Sequence, residues 1–231
     1  MPVNIDYFKR YVEFLQNKSQ SGNSVTPAQF NIAANAAQLA KFQSDREIFI
    51  AKKEITKYLT FFMKTQVSQV NPSIGYLPYP TDWEHTIKIR RYFLRKIFDK
   101  PTNTYKTEGI WINVDEVKDY DWGDVQGSSL LKAVPRFSKY EEFANEYRFL
   151  PKAIGSVEVD YLATPTPPFW NYVITNGRPV YNSATSVDFQ FEAFSLNEIA
   201  MKYLALIGCN LQMAQLNNFA QQFKAESSAI L

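Results

Sequence analysis

Thr86-Ile-Lys-Ile-Arg-Arg-Tyr-Phe-Leu-Arg-Lys-Ile-Phe98 opens on an alternation of polar and apolar side chains. A period of two is the repeat of a strand with one buried face. It recurs in Gly109-Ile-Trp-Ile-Asn-Val-Asp115 and in Gly155-Ser-Val-Glu-Val-Asp-Tyr-Leu162. Tyr172-Val-Ile-Thr-Asn-Gly-Arg-Pro-Val-Tyr181 adds a hairpin, because Asn176-Gly177 between β-prone runs fits a tight turn. Ser186-Val-Asp-Phe-Gln-Phe191 adds one more short strand. The middle of the chain is therefore read as β-rich. One short helix interrupts it over residues 138–147, where Ser138 and Glu141 stand at capping-box spacing between Pro135 and Pro151.

Outward from this stretch the period changes to that of helices. Tyr7, Phe8, Tyr11, Val12 and Leu15 share one helical face behind a cap at Asn4 or Asp6. A polar break over 16–24 follows. Thr26-Pro27 then starts a second helix whose face carries Phe30, Ala33, Ala34, Ala37, Leu39, Ala40 and Phe42. A third helix is predicted over 45–70, with Ile48, Phe49, Ile55, Leu59, Phe62 and Met63 on one stripe, stopped by Asn71-Pro72. At the other end, Ser195 and Glu198 form a second capping-box pattern for a helix over 195–206. Gly208 is its C-cap, and another helix is predicted over 210–225. The fold class is α+β: a helical core built from the N- and C-terminal segments, with a mainly antiparallel β-rich insert. The predicted bounds are 1–72 for the first helical segment, 73–192 for the insert and 193–231 for the closing helices.

Composition restricts the chemistry. The chain has 231 residues, of which 45% are hydrophobic and 21% charged, enough apolar surface for a core without metal or disulfide support. Aromatic residues reach 16%, a share that suits an interface and a β-rich interior equally well. A single cysteine, Cys209, excludes an internal disulfide and a multi-cysteine zinc site, and its apolar neighbours suit a small buried residue. The eight glycines fall in no phosphate-binding spacing. The one histidine, His85, would have to serve any His-dependent mechanism, yet beside Trp83 it reads as a loop residue held by packing. No enzyme activity, cofactor or metal is expected. The N-terminus lacks a basic segment followed by an apolar one, and no apolar run reaches the roughly 20 residues of a membrane span, so a cytosol-like compartment is expected.

Two charged segments stand out against a net charge of only +2. Lys88, Arg90, Arg91, Arg95, Lys96 and Lys100 form a basic strip; Asp115, Glu116, Asp119, Asp121 and Asp124 form an acidic one. The acidic run misses the glycine and the closing glutamate of a calcium loop and reads as a solvated loop or an acidic rim. The basic strip suits contact with an acidic neighbour, protection of an edge strand, or nucleic-acid phosphates, in that order. Copies of the chain arranged head to tail in a ring would bring the two segments together. A glycan hydrolase using the 115–124 acids and a DNA-binding accessory protein using the basic strip are the alternatives.

Several stretches, in order, resemble a known group. Tyr11-Val-Glu-Phe-Leu-Gln-Asn-Lys-Ser-Gln-Ser-Gly22, Thr26-Pro-Ala-Gln-Phe-Asn-Ile-Ala-Ala-Asn-Ala-Ala-Gln38, Val157-Glu-Val-Asp-Tyr-Leu162, Pro165-Thr-Pro-Pro-Phe-Trp170 and Ser186-Val-Asp-Phe-Gln-Phe191 are similar to virion proteins of crAss-like tailed phages of Bacteroidetes. So are Asn197-Glu-Ile-Ala200 and Ile207-Gly-Cys-Asn-Leu211. The likeness is poorest over 99–150. It implies a head–tail connector or tail ring component, often of twelve subunits, assembled in the host cytoplasm and enclosing the channel through which DNA leaves the capsid. Its implied partners are copies of itself, the portal protein or neighbouring rings, and DNA contacted without sequence preference, with no membrane.

Overall fold

The computed structural model describes residues 2–16, 25–53, 55–100, 103–127, 133–134 and 136–207. Cys209, Gly208 and the helix expected over 210–225 lie outside them. The described residues form a mixed α/β chain with four α-helices and ten strands. They group into two compact units, one running to Phe61 and resuming at Pro165, the other Phe62–Thr164. The β-rich unit thus begins about ten residues ahead of 73 and closes well before 192, and the 172–181 hairpin belongs with the first unit.

In the first unit, α1 (Ile5–Leu15) starts at Asn4, whose side-chain oxygen accepts from the backbone N–H of Asp6 (3.1 Å) and Tyr7 (3.0 Å). Helix α2 (Pro27–Lys52) starts with a capping box between Thr26 and Gln29 and with proline in its first turn. It ends where Lys53 turns left-handed at φ 57°. The break expected near residue 43 is absent. No Gly or Pro stands there, and Asp45 continues the helix as a buried i+4 partner of Lys41. The predicted 45–70 helix therefore splits: its first part belongs to α2, and its last part is strand β1 (Met63–Gln69).

Strands β9 (Tyr172–Thr175) and β10 (Arg178–Tyr181) pair around Asn176 and Gly177, both at positive φ, as Asn-Gly predicts. Residues 186–191 do not form a ladder strand. They run beside the N-terminus through Val3 N–H to Phe191 (3.0 Å) and Phe189 N–H to Val3 (3.1 Å), burying Phe189 and Phe191. Helix α4 (Leu196–Leu206) forms as expected, but Ser195 sits in a 3₁₀ turn with helical backbone angles and caps nothing with its side chain. The Glu198 carboxylate turns to Lys41 instead (2.7 Å). Phe8 of α1, Phe30 of α2, Phe189 and Tyr203 of α4 meet in one aromatic cluster.

The second unit holds two four-stranded sheets. One runs β1–β8–β3–β4, entirely antiparallel, with β3 at Trp83–Asp99, β4 at Thr104–Asn113 and β8 at Ser156–Ala163. The other runs β2–β7–β6–β5, with β2 at Tyr76–Pro78, β5 at Asp115–Glu116, β6 at Lys139–Phe143 and β7 at Glu146–Leu150; its β5–β6 pair is parallel. Ile89, Val157, Val159 and Tyr161 of the first sheet and Tyr140, Tyr147 and Phe149 of the second form the core between them.

The helix predicted over 138–147 is instead the β6–β7 hairpin, turning at Ala144 with φ 52°. Ser138 is fully buried and receives a hydrogen bond from Arg91 (3.0 Å), so its hydroxyl is engaged away from any helix start. Tyr140, Phe143 and Tyr147 satisfy a helical spacing on paper, but pairing with neighbouring strands decides.

Strand β3 outruns its sheet. Its partner β8 covers it only from Trp83 to Arg91, and from Tyr92 to Asp99 its one ladder partner among the described residues is β4. Those eight residues extend the hairpin by roughly 25 Å at the usual strand rise. The result is a two-stranded arm.

Candidate assembly surface

Of the predicted basic strip, Arg95 and Lys96 lie on the arm and Lys100 just past the end of β3, whereas Lys88, Arg90 and Arg91 lie where β8 still covers β3; alternation divides the strip further. Lys88, Arg90, Tyr92, Leu94, Lys96 and Phe98 share one face of β3; Arg91, Phe93, Arg95 and Ile97 share the other. Six cations therefore do not form one strip. Arg90 clamps Glu158 and Asp160 across the sheet, the latter at 3.0 Å, while Asp160 also accepts from the Thr65 hydroxyl at 2.6 Å. Arg95 donates through Nε (3.0 Å) and Nη2 (2.8 Å) to Glu108. Arg91 is a core group: its guanidinium is buried, and burial lowers its pKa. Lys88, Lys96 and Lys100 are exposed and have no ion pair among the described residues.

Replacing Arg91 by alanine is expected to cost about 2 kcal/mol of stability, because the buried Ser138 then loses its charged donor. Lys96→Ala should stay within about 0.5 kcal/mol. Chemical denaturation of the two variants separates a buried structural arginine from a surface cation, and equal effects would contradict this division.

The acidic segment is not a loop. Asp115 and Glu116 are β5, hydrogen-bonded into the second sheet through Asp115 N–H to Ser138 (3.1 Å) and Val117 N–H to Tyr140 (2.8 Å). Asp119 opens α3 (Asp119–Gly127), on which Asp121 and Asp124 are exposed and Val125 is buried. Asp115, Glu116, Asp121 and Asp124 have no ion pair among the described residues. No group of three or more His, Cys, Asp or Glu side chains that could hold a metal occurs among the described residues.

His85, expected in a loop, lies within β3 where the pairing with β8 shifts register. A second shift, between Thr86 and Lys88, accompanies a buried Thr86 hydroxyl that meets Trp83 Nε1 (3.2 Å) and the Tyr147 hydroxyl (3.0 Å). Glu142 joins this network. Burial raises its carboxyl pKa, opposed by the hydrogen bond with Thr86 and reinforced by Glu116. The same burial pushes the Tyr140 and Tyr147 hydroxyls upward. A cleft of about 280 Å³ between β2, α3 and β7 is lined by Tyr76, Trp122 and Phe149 and includes neither Glu142 nor His85.

What residue-by-residue reading missed is the aromatic face of the arm. Tyr92 packs edge-on against Trp111 (5.4 Å between centroids) and Phe98 against Tyr105 (5.3 Å), both as direct cross-strand pairs. Gly109 lies between them because the Tyr92 ring covers it, and a Cβ there would meet the Tyr92 hydroxyl at 1.8 Å. Leu94, Phe98 and Tyr105 remain 59%, 46% and 71% exposed. Lys96 is the only charged side chain on this part of the face. The opposite face is neutralised internally by Arg95 with Glu108 and Lys106 with Asp99. The signal was present in the aromatic count, but without the register nothing placed those rings on one exposed side. No family model matches the chain, and no curated protein matches it.

Proposed function

We propose that the chain is a structural virion subunit. It forms a ring in the head–tail connector or tail of a tailed phage and encloses the DNA exit channel. The ring packs against copies of itself and against stacked neighbours such as the portal protein or adjoining rings.

The observation that supports this reading most is the β3–β4 arm. A two-stranded ribbon is marginal in water, and this one carries two aromatic pairs and Leu94 toward solvent. Exposed aromatic and apolar side chains gathered on one face of a strand pair suit a protein-binding face. The ordered resemblance to crAss-like phage virion proteins supplies the biological setting. No helix among the described residues is long and apolar enough to cross a membrane.

The test is direct. The purified full chain is expected to form closed rings in electron micrographs and a concentration-dependent oligomer in sedimentation. Its peptides are expected in mass spectra of purified virions. A chain that stays monomeric at high concentration and is missing from virions sinks the proposal.

A further inference from the structure

The arm carries two opposite requirements at its two ends. Lys96 and Lys100 stand out along it without counter-ions among the described residues. The exposed acids start at Asp115, two residues beyond the end of β4 at Asn113, so Asp115 and Glu116 lie at its base, and Asp121 and Asp124 follow on α3. Lys88 is also near the base, since Val114 N–H bonds the carbonyl of its neighbour Ile89 (2.9 Å). Lys96 is six residues from Arg90, the partner of Asn113, a separation of roughly 20 Å along a strand. That exceeds the screening length of about 8 Å at physiological salt. Among the described residues, Lys96 and Lys100 make no ion pair with the acidic segment of their own chain.

We infer that the aromatic face of the β3–β4 arm docks on the acidic β5–α3 segment of a second copy of this chain. This inference rests on the self-assembly reading above and adds to it a specific contact. The Tyr92–Trp111 and Phe98–Tyr105 pairs supply the apolar area, while Lys96 and Lys100 meet Asp121 and Asp124 of the neighbour. The two surfaces are different parts of one chain, so the contact is heterologous. Each copy offers an arm to one neighbour and an acidic seat to the other, and the chain of contacts closes into a ring when the rotation per subunit allows it. On the opposite face of the arm, the charged side chains are already paired internally, Arg95 with Glu108 and Lys106 with Asp99.

The experiment uses the full chain and charge reversal. Lys96→Glu with Lys100→Glu is expected to weaken association at least tenfold at low salt, and so is Asp121→Lys with Asp124→Lys, each with an unchanged far-ultraviolet spectrum. Mixing the two variants one to one restores assembly, because each arm then faces a seat of opposite charge. Phe98→Ser with Tyr105→Ser should weaken association at both low and high salt, as loss of apolar contact predicts. Wild-type oligomers unaffected by the reversals, or reversals that mixing does not rescue, overturn the arm-to-seat contact and leave the ring proposal standing. A wild-type chain that never associates overturns the self-assembly reading, and the arm contact with it.

Discussion

Lys41→Ala is expected to lower the stability of the first unit by about 3–5 kcal/mol, the usual cost of removing one partner from a buried ion pair. The Lys41 ammonium, 3% exposed, bonds Asp45 within α2 at 2.6 Å and Glu198 of α4 at 2.7 Å. It also lies 4.4 Å from the centre of the Tyr58 ring. Burial opposes its charge, but the hydrogen bonds to Asp45 and Glu198 outweigh burial and raise its pKa above the ordinary lysine value. A cation held this way contributes its stability fully below about pH 10.5, and that contribution is lost as pH rises through the folded-state value. Removing it strands the buried Asp45 carboxylate, whose other oxygen already lacks a partner. Denaturant titration should show the loss. The double variant Lys41→Ala, Asp45→Ala should lose less than the sum of the two single variants, because the stranded charge is gone. Glu198→Gln should cost far less, since its carboxylate is half in solvent. A Lys41→Ala chain within 1 kcal/mol of wild type would show that the network carries no net stability.

Local chemistry made some of this legible. Thr26-Pro27, Asn176-Gly177 and the alternation at 86–98 each constrain the backbone by themselves, and each appears where expected. Readings failed where a pattern had two solutions. Every residue of β1 but Ser68 is exposed, so no buried face marks it as a strand, and only pairing with β8 does. The Ser138–Glu141 and Ser195–Glu198 spacings both match a capping box. In the structure those hydroxyls are buried, and Ser138 is engaged by Arg91. The basic strip divides for another reason. Spacing along a strand does not reveal which cations cross-strand carboxylates neutralise, and Glu108, Glu158 and Asp160 take Arg95 and Arg90 out of it. Register is the missing information, and it alone shows Tyr92, Trp111, Phe98 and Tyr105 to be one face.

Phe8→Ala is the second large effect expected, also about 3–5 kcal/mol. The Phe8 side chain is fully buried, with its ring 4.6 Å from Phe189, 5.7 Å from Tyr203 at a near-perpendicular angle and 6.3 Å from Phe30. These rings come from the N-terminal helix, α2, the extended segment near residue 189, and α4. The cavity left by alanine would therefore open at the meeting point of four segments distant in sequence. None of them can close it without shifting a ring that packs on the others. Phe8→Leu keeps most of the volume and should cost less than about 1.5 kcal/mol. Phe14, on the same helix but 76% exposed, provides the control: Phe14→Ala should fall within about 0.5 kcal/mol of wild type. Thermal and denaturant unfolding of the three variants tests whether α1 is seated by Phe8. Equal losses at Phe8 and Phe14 would mean that the helix is held by a different face.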